Sequence, residues 1–350
     1  MARGTARASL SHLKSSLTIA GGGLAGLSLA VALRSRGVPV TVLEAGFYPR
    51  HRVCGEFISG VSMETLDFLG IADLFHDAKQ HRSLCWSEGG HVIHRDKLTE
   101  AALGISRYQL DDRLQQRLLE LGGTLITRHR ARPSPAEGHV WAAGRKARQG
   151  RWIGLKAHVR GLDLAADLEM HSGSNGYAGL AGVEDGWVNV CGLFQLDRSL
   201  DAKASALLPA YLDAGGNVHL ADRLRHCQWR EGSFSAVAGF ELGRQQAMPG
   251  ILGIGDAESM IPPFTGNGMS MAFQAAETAC TPLVAWSSGD MSWPQAANEV
   301  RTALAKRFQK RLAASMLFHK VLFNDAGRSV LQALSSADLL PFRPMLSLVR

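Results

Sequence analysis

Leu17-Thr18-Ile19-Ala20-Gly21-Gly22-Gly23-Leu24-Ala25-Gly26 is the stretch on which the fold turns. Leu17 to Ala20 is a short apolar run, and Leu24 to Arg36 is rich in Ala and Leu, so the glycines stand where a strand passes into a helix. Val38 to Leu43, mostly β-branched, reads as a second strand and completes a βαβ unit. In such a GxGxxG turn Gly21 permits the tight bend, Gly23 lets the backbone approach a pyrophosphate, and Gly26 lets helix and strand pack closely. Leu24 and Ala25 open the helix, whose unpaired N–H groups and positive dipole end face the phosphates. The second strand leads into Glu44, eighteen residues after Gly26, where a carboxylate can accept hydrogen bonds from both hydroxyls of an adenosine ribose. An acid there disfavours a 2′-phosphate, so FAD or NAD is expected rather than NADP.

A second motif separates those two. Ile251 to Ile254 reads as a buried strand, Gly255-Asp256 follows it, and Pro262-Pro263-Phe264-Thr265-Gly266-Asn267-Gly268-Met269 opens a helix. An aspartate at a strand end can hold a ribityl hydroxyl. Backbone amides at the next helix start can face the N1–C2=O edge of a flavin, where the reduced ring carries negative charge.

Gly255, Asp256, Pro263, Gly266, Gly268 and Ala272 together resemble the GD…P..GxG…A signature of the p-hydroxybenzoate hydroxylase-like flavoproteins. That superfamily includes aromatic hydroxylases, flavin halogenases and geranylgeranyl reductases. Ile105-Ser106-Arg107-Tyr108-Gln109-Leu110-Asp111 is similar to its "isR..lD..L" segment, which implies a flavin contact for Arg107. Arg52-Val53-Cys54-Gly55-Glu56 resembles the loop that geranylgeranyl reductase-like members lay beside the isoalloxazine, which brings Arg52 and Cys54 to the cofactor.

The resemblance implies an α/β fold: a Rossmann-like FAD-binding domain interrupted by an α+β insert, a β-sheet substrate domain, with a helical C-terminal region. The corresponding division gives residues 16–80, 99–155 and 245–285 to the FAD domain, 81–98 and 156–244 to the sheet, and 286–350 to the tail. Three departures bear on activity. Trp141-Ala142-Ala143-Gly144-Arg145 stands where hydroxylases carry a motif beginning Asp-Gly. Gly176-Tyr177-Ala178-Gly179-Leu180 replaces the reductases' aromatic-Pro pattern, and the WxWxIP segment of tryptophan halogenases is absent.

The expected activity is that of an FAD-dependent monooxygenase: NADPH or NADH reduces the flavin, O2 adds as a flavin hydroperoxide, and a hydrophobic small molecule is hydroxylated. Reduction of carbon–carbon double bonds, as in the geranylgeranyl reductases, is the alternative. Intact motifs at both ends of the cofactor argue against a flavin-binding subunit without turnover.

Cys54 is the candidate catalytic residue. Arg50, His51 and Arg52 adjoin it, a setting for a redox or proton-donating thiol, although a small residue beneath a flat ring is a competing role. His51 as a general base is outweighed by a solvated loop histidine. Trp152, Trp187 and Trp229 on expected strands either line a cavity or fill a core.

At 350 residues the chain is long enough for two packed subdomains. Its net charge of +7 is concentrated. Arg301, Lys306, Arg307, Lys310, Arg311 and Lys320, with Arg3, Arg7 and Lys14, more than account for it, leaving a near-neutral body between two basic ends. No nucleic-acid partner is expected. Leu304, Phe308, Leu312 and Met316 give the basic helix an apolar stripe that packs on the core or, less favoured, rests on an anionic membrane. Five scattered cysteines without a CxxC pair point to a cytoplasmic protein and to no metal site.

Overall fold

Two sheets contain nearly all the strands of the computed structural model, which describes residues 14–145, 150–200, 202, 204–239 and 241–349. Arg3 and Arg7 lie outside these residues, while Lys14 donates to the Arg36 carbonyl at 2.6 Å. Leu17–Ala20 and Val40–Leu43 pair in parallel, as the βαβ reading requires. His139–Trp141 and then Leu252–Gly253 extend the sheet on one side and Thr124–Ile126 on the other, all parallel. The strands at 124 and 139 escape sequence reading because three residues are too few to show a period. Every residue of the helix Leu24–Arg34 except Arg34 is buried, as its Ala, Leu and Gly content permits, and it packs against the helix Gly268–Ser287.

The second sheet is nine-stranded. Its centre runs Trp152–Arg160, Val188–Gln195, Gly176–Gly182, Leu168–Gly173, Lys79–Glu88, His91–Gly104, antiparallel except where 79–88 meets 168–173. Gly89 and Gly90 make the expected hairpin turn with positive φ, which glycine adopts freely. The expected divisions at 99 and 156 fall inside His91–Gly104 and Trp152–Arg160, and Phe57–Ile58 also joins this sheet. A hydrogen-bonded ladder continues where the sequence changes character.

Trp293–Leu322 starts at a capping box of Ser292 and Gln295 and runs for about 45 Å. Its early residues Val300, Leu304 and Phe308 enter the core of the first sheet, and Leu322 packs with Trp86 of the second. Its apolar stripe thus turns inward, while Arg307 pairs with Glu277 at 2.7 Å. Asp325–Ser336 and Phe342–Leu348 complete the tail. No described helix is long and apolar enough to cross a membrane.

Candidate functional site

The glycine turn is shaped by what a side chain would strike. Gly21 has φ +113°, and a Cβ there would lie 2.3 Å from the Ala142 carbonyl oxygen; one on Gly26 would lie 2.0 Å from that of Gly21. Gly23 differs: among the described residues a Cβ would meet only Arg107 Nη2, at 4.0 Å, so its free side faces open space. It caps the helix Leu24–Arg34 without a side-chain hydrogen bond, and the first turn carries no acid. The arrangement can cradle a phosphate.

Glu44 lies buried beside it. Gly22 N–H donates to Oε2, and Gly46 N–H and Arg50 Nη2 donate to Oε1, each at 2.8 Å. Burial alone would raise its pKa, but Arg52, the Gly46 amide, Arg50 and the Gly22 amide bring it below the usual range, so the group is an ionised acceptor. With two donors already on Oε1, Oε2 is the better placed oxygen for a ribose hydroxyl.

One carboxylate positions both expected arginines. Asp111, fully buried, accepts from Arg107 Nε at 2.7 Å and Nη2 at 2.8 Å, and from Arg52 Nε at 2.9 Å. Two guanidiniums on one carboxylate leave net positive charge at the cavity wall. Asp111 belongs to the quoted Arg107 segment but had no role assigned; its signal was the Arg-to-Asp spacing of four on a helix face. Cys54 lines the cavity near Arg107. Burial raises its pKa, against the pull of Arg107, so it is a thiol at neutral pH.

The second glycine motif closes on the first. A Cβ on Gly255, whose φ is +61°, would lie 2.8 Å from the Ala25 Cβ, so the two ends of the chain meet only because that residue is glycine. Asp256 faces the cavity, and burial raises its pKa despite Arg145 and Arg107. Pro263, Gly266, Gly268 and Met269 also line it, and the helix Gly268–Ser287 begins there with neither a side-chain cap nor an acid in its first turn. Two helix N-termini therefore border one cavity. Asn267 is fully buried: its side chain donates Nδ2 to the carbonyls of Thr265 (3.0 Å) and Val349 and ties the helix start to the tail. Gly26 and Gly255 likewise shape the walls from behind.

The cavity measures about 1130 Å³. It runs from the glycine turn to an apolar chamber where Trp86, Leu98 and Met170 of the sheet face Leu322, Phe342 and Met345 of the tail. Single-ligand pockets hold roughly 300–1,000 Å³, so there is room for a dinucleotide and a second molecule. Trp86 and Trp141 line it, whereas the three tryptophans considered above do not. Trp152 packs on Phe323 and His319, Trp187 lies under Arg160, and Trp229 donates to the Leu224 carbonyl.

His51, expected in solvent, lines the cavity and accepts at Nδ1 from Lys156 Nζ at 3.0 Å. Lys156 reaches Glu56 Oε1 at 3.1 Å, and His158 Nε2 reaches Glu56 Oε2 at 2.5 Å. No local pattern announces this cluster, because its partners stand more than a hundred residues apart in the chain.

Comparison with known proteins gives three findings. Residues 14–131 match the family described as FAD binding domain. The chain is 24% identical to menaquinone reductase of Mycobacterium tuberculosis over 87% of its own length and 85% of that protein's. Among solved structures it is similar to p-nitrophenol 4-monooxygenase PnpA of Pseudomonas putida DLL-E4, at TM-score 0.72 and 14% identity over 96% of either chain. It is also similar to PqsL of P. aeruginosa in complex with 2-aminobenzoylacetate, at TM-score 0.70 and 14% identity over 90% of this chain and 98% of that one. Residues 14–131 thus carry an FAD-binding domain, and a distant second glycine motif folds onto its dinucleotide turn across one cavity, which makes this chain an FAD-dependent oxidoreductase.

Proposed function

We propose that this oxidoreductase is a monooxygenase, which draws electrons from NADH or NADPH and places one atom of O2 in a hydrophobic organic molecule. The observation that carries the reading is the continuity of the cavity, from the phosphate cradle past Cys54 into an apolar chamber roofed by the tail. The residues fit FAD: Gly23 leaves a gap that no described side chain fills, and both helix starts bordering the cavity are uncapped by side chains. Bound there, the flavin supplies two-electron chemistry and reaction with O2. Gly21, Gly23 and the Leu24 helix start hold the pyrophosphate, Glu44 the ribose, and Asp256 the ribityl chain. The Gly268 helix start would stabilise negative charge on a reduced flavin. The apolar chamber excludes water and orients the substrate. A structural neighbour named as a monooxygenase supports the reading.

The test is reduction by NADH or NADPH without oxygen, followed by mixing with isotopically labelled O2 and candidate aromatic or polyene compounds. One labelled oxygen per product, with one nicotinamide consumed, is expected. Product formed in the absence of O2 would overturn the proposal in favour of a second reading, double-bond reduction. That reading is favoured by the Cys54 thiol on the cavity wall and by the relative named menaquinone reductase. Hydride would go to one carbon and the Cys54 proton to the other, leaving a thiolate beside Arg107.

A further inference from the structure

Glu56, Lys156 and His158 are fully buried behind the cavity wall. Lys156 Nζ donates to Glu56 and to His51, His158 contacts the other Glu56 oxygen, and His51 opens on the cavity. The four side chains form one unbroken hydrogen-bonded chain from the interior of the nine-stranded sheet to the cavity. Buried ion pairs are weak sources of stability, since apolar replacements are often neutral or better. Glu56 also holds φ +56°, an unfavourable left-handed conformation fixed by the Arg107 N–H on its Oε1 at 3.0 Å. Charge burial and backbone strain together mark a functional cluster. The ligand atoms of His51, Glu56 and His158 lie close enough for a metal ion, but the Lys156 ammonium against both His51 and Glu56 repels a cation.

We propose that His51, Lys156, Glu56 and His158 form a proton relay that delivers one proton to the cavity in each turnover. The proposal rests on the reading that the cavity holds a reduced flavin, and it applies to either fate of the electrons. A reduced flavin bound there as the anion would supply two electrons and the proton on N5. Whether these end in H2O2, in hydroxylated product and water, or in a saturated double bond, the balance requires one further proton.

Lys156 can only donate, so His51 Nδ1 carries the lone pair and Nε2 the proton. Burial, with Lys156, His158 and Arg230 against the opposing pull of Glu56, lowers the His51 pKa to about 3; Tyr108 stacks on the ring at 4.7 Å. His51 therefore gives its Nε2 proton to the cavity as a Lys156 proton passes to Nδ1, and the imidazole stays neutral. Glu56 and His158 hold the Lys156 ammonium in place, and a proton returning from the open cavity to Nε2, as the Nδ1 proton passes back to Lys156, restores the starting state. His51, on the cavity wall, is the donor; the other three act through it.

The test uses holoenzyme reduced without oxygen and mixed with O2 in the absence of any organic substrate, in H2O and D2O. His51→Gln is expected to keep its flavin, slow reoxidation by about 10²-fold and lose the solvent isotope effect. His51→Ala should behave alike and recover with added imidazole, which repair of packing would not accomplish. Independently of the flavin, nitrogen-15 NMR of histidine-labelled protein at about pH 6 should show His51 neutral with its proton on Nε2. Wild-type reoxidation by His51→Gln, no rescue of flavin-bound His51→Ala, or a cationic or Nδ1-protonated His51 would each overturn the relay. Failure here leaves the monooxygenase reading standing, and absence of hydroxylated product there leaves the relay standing.

Discussion

His319 sits among Trp152, Phe323 and Phe264, with ring centroids 4.9, 4.6 and 6.5 Å away, and neither of its nitrogens has a hydrogen-bond partner among the described residues. Burial lowers its pKa to about 4. An unfolded histidine titrates near 6.5, so the neutral ring's contribution is complete above about pH 6.5 and is lost as the pH falls towards 4. His319→Phe removes two unsatisfied polar atoms and should stabilise the protein by about 1–3 kcal/mol at pH 7.5. At pH 5 the advantage should grow by about 2 kcal/mol. Urea unfolding of both proteins at the two pH values checks this, and an equal difference at both would contradict the buried, neutral assignment.

At the scale of elements, the start of the helix Gly268–Ser287 is set by Gly266, whose φ is +68° and whose added Cβ would lie 2.1 Å from the Phe57 ring. Gly266→Ala should therefore displace the helix start from the cavity and weaken FAD binding by about tenfold or more, given a strain of order 1–3 kcal/mol. Phe57→Leu in the same chain should recover the part due to the ring and not the part due to the backbone. Fluorescence titration with FAD measures both. Unchanged affinity in the single variant would mean that this helix start does not hold the flavin.

For the whole molecule, the tail is clamped over the sheet by unequal contacts. Arg328, nearly buried, pairs with Glu88 at 3.0 Å and donates to the Leu322 carbonyl at 3.3 Å, while Arg343 pairs with Asp96 at 3.0 Å but is largely exposed. An exposed pair contributes little and a buried guanidinium much more. Arg328→Ala should thus speed proteolytic cleavage within residues 324–349 with FAD occupancy retained, and Arg343→Ala should change neither. Equal protection in the two variants would show that apolar packing alone holds the roof.

The order of motifs along the chain was enough to read the βαβ unit, the identity of Gly21, Gly23 and Gly26, Glu44, and the second glycine turn, because each is a local backbone requirement written in consecutive residues. The interruption by a sheet and the helical tail were legible for the same reason, through local period. Tertiary structure alone decided that Asp111 also binds Arg52 and that Asn267 turns to Val349. It also decided that the apolar chamber is roofed by the tail, and that His51 meets Lys156. Those contacts join residues far apart in sequence, and no short stretch of sequence encodes their geometry.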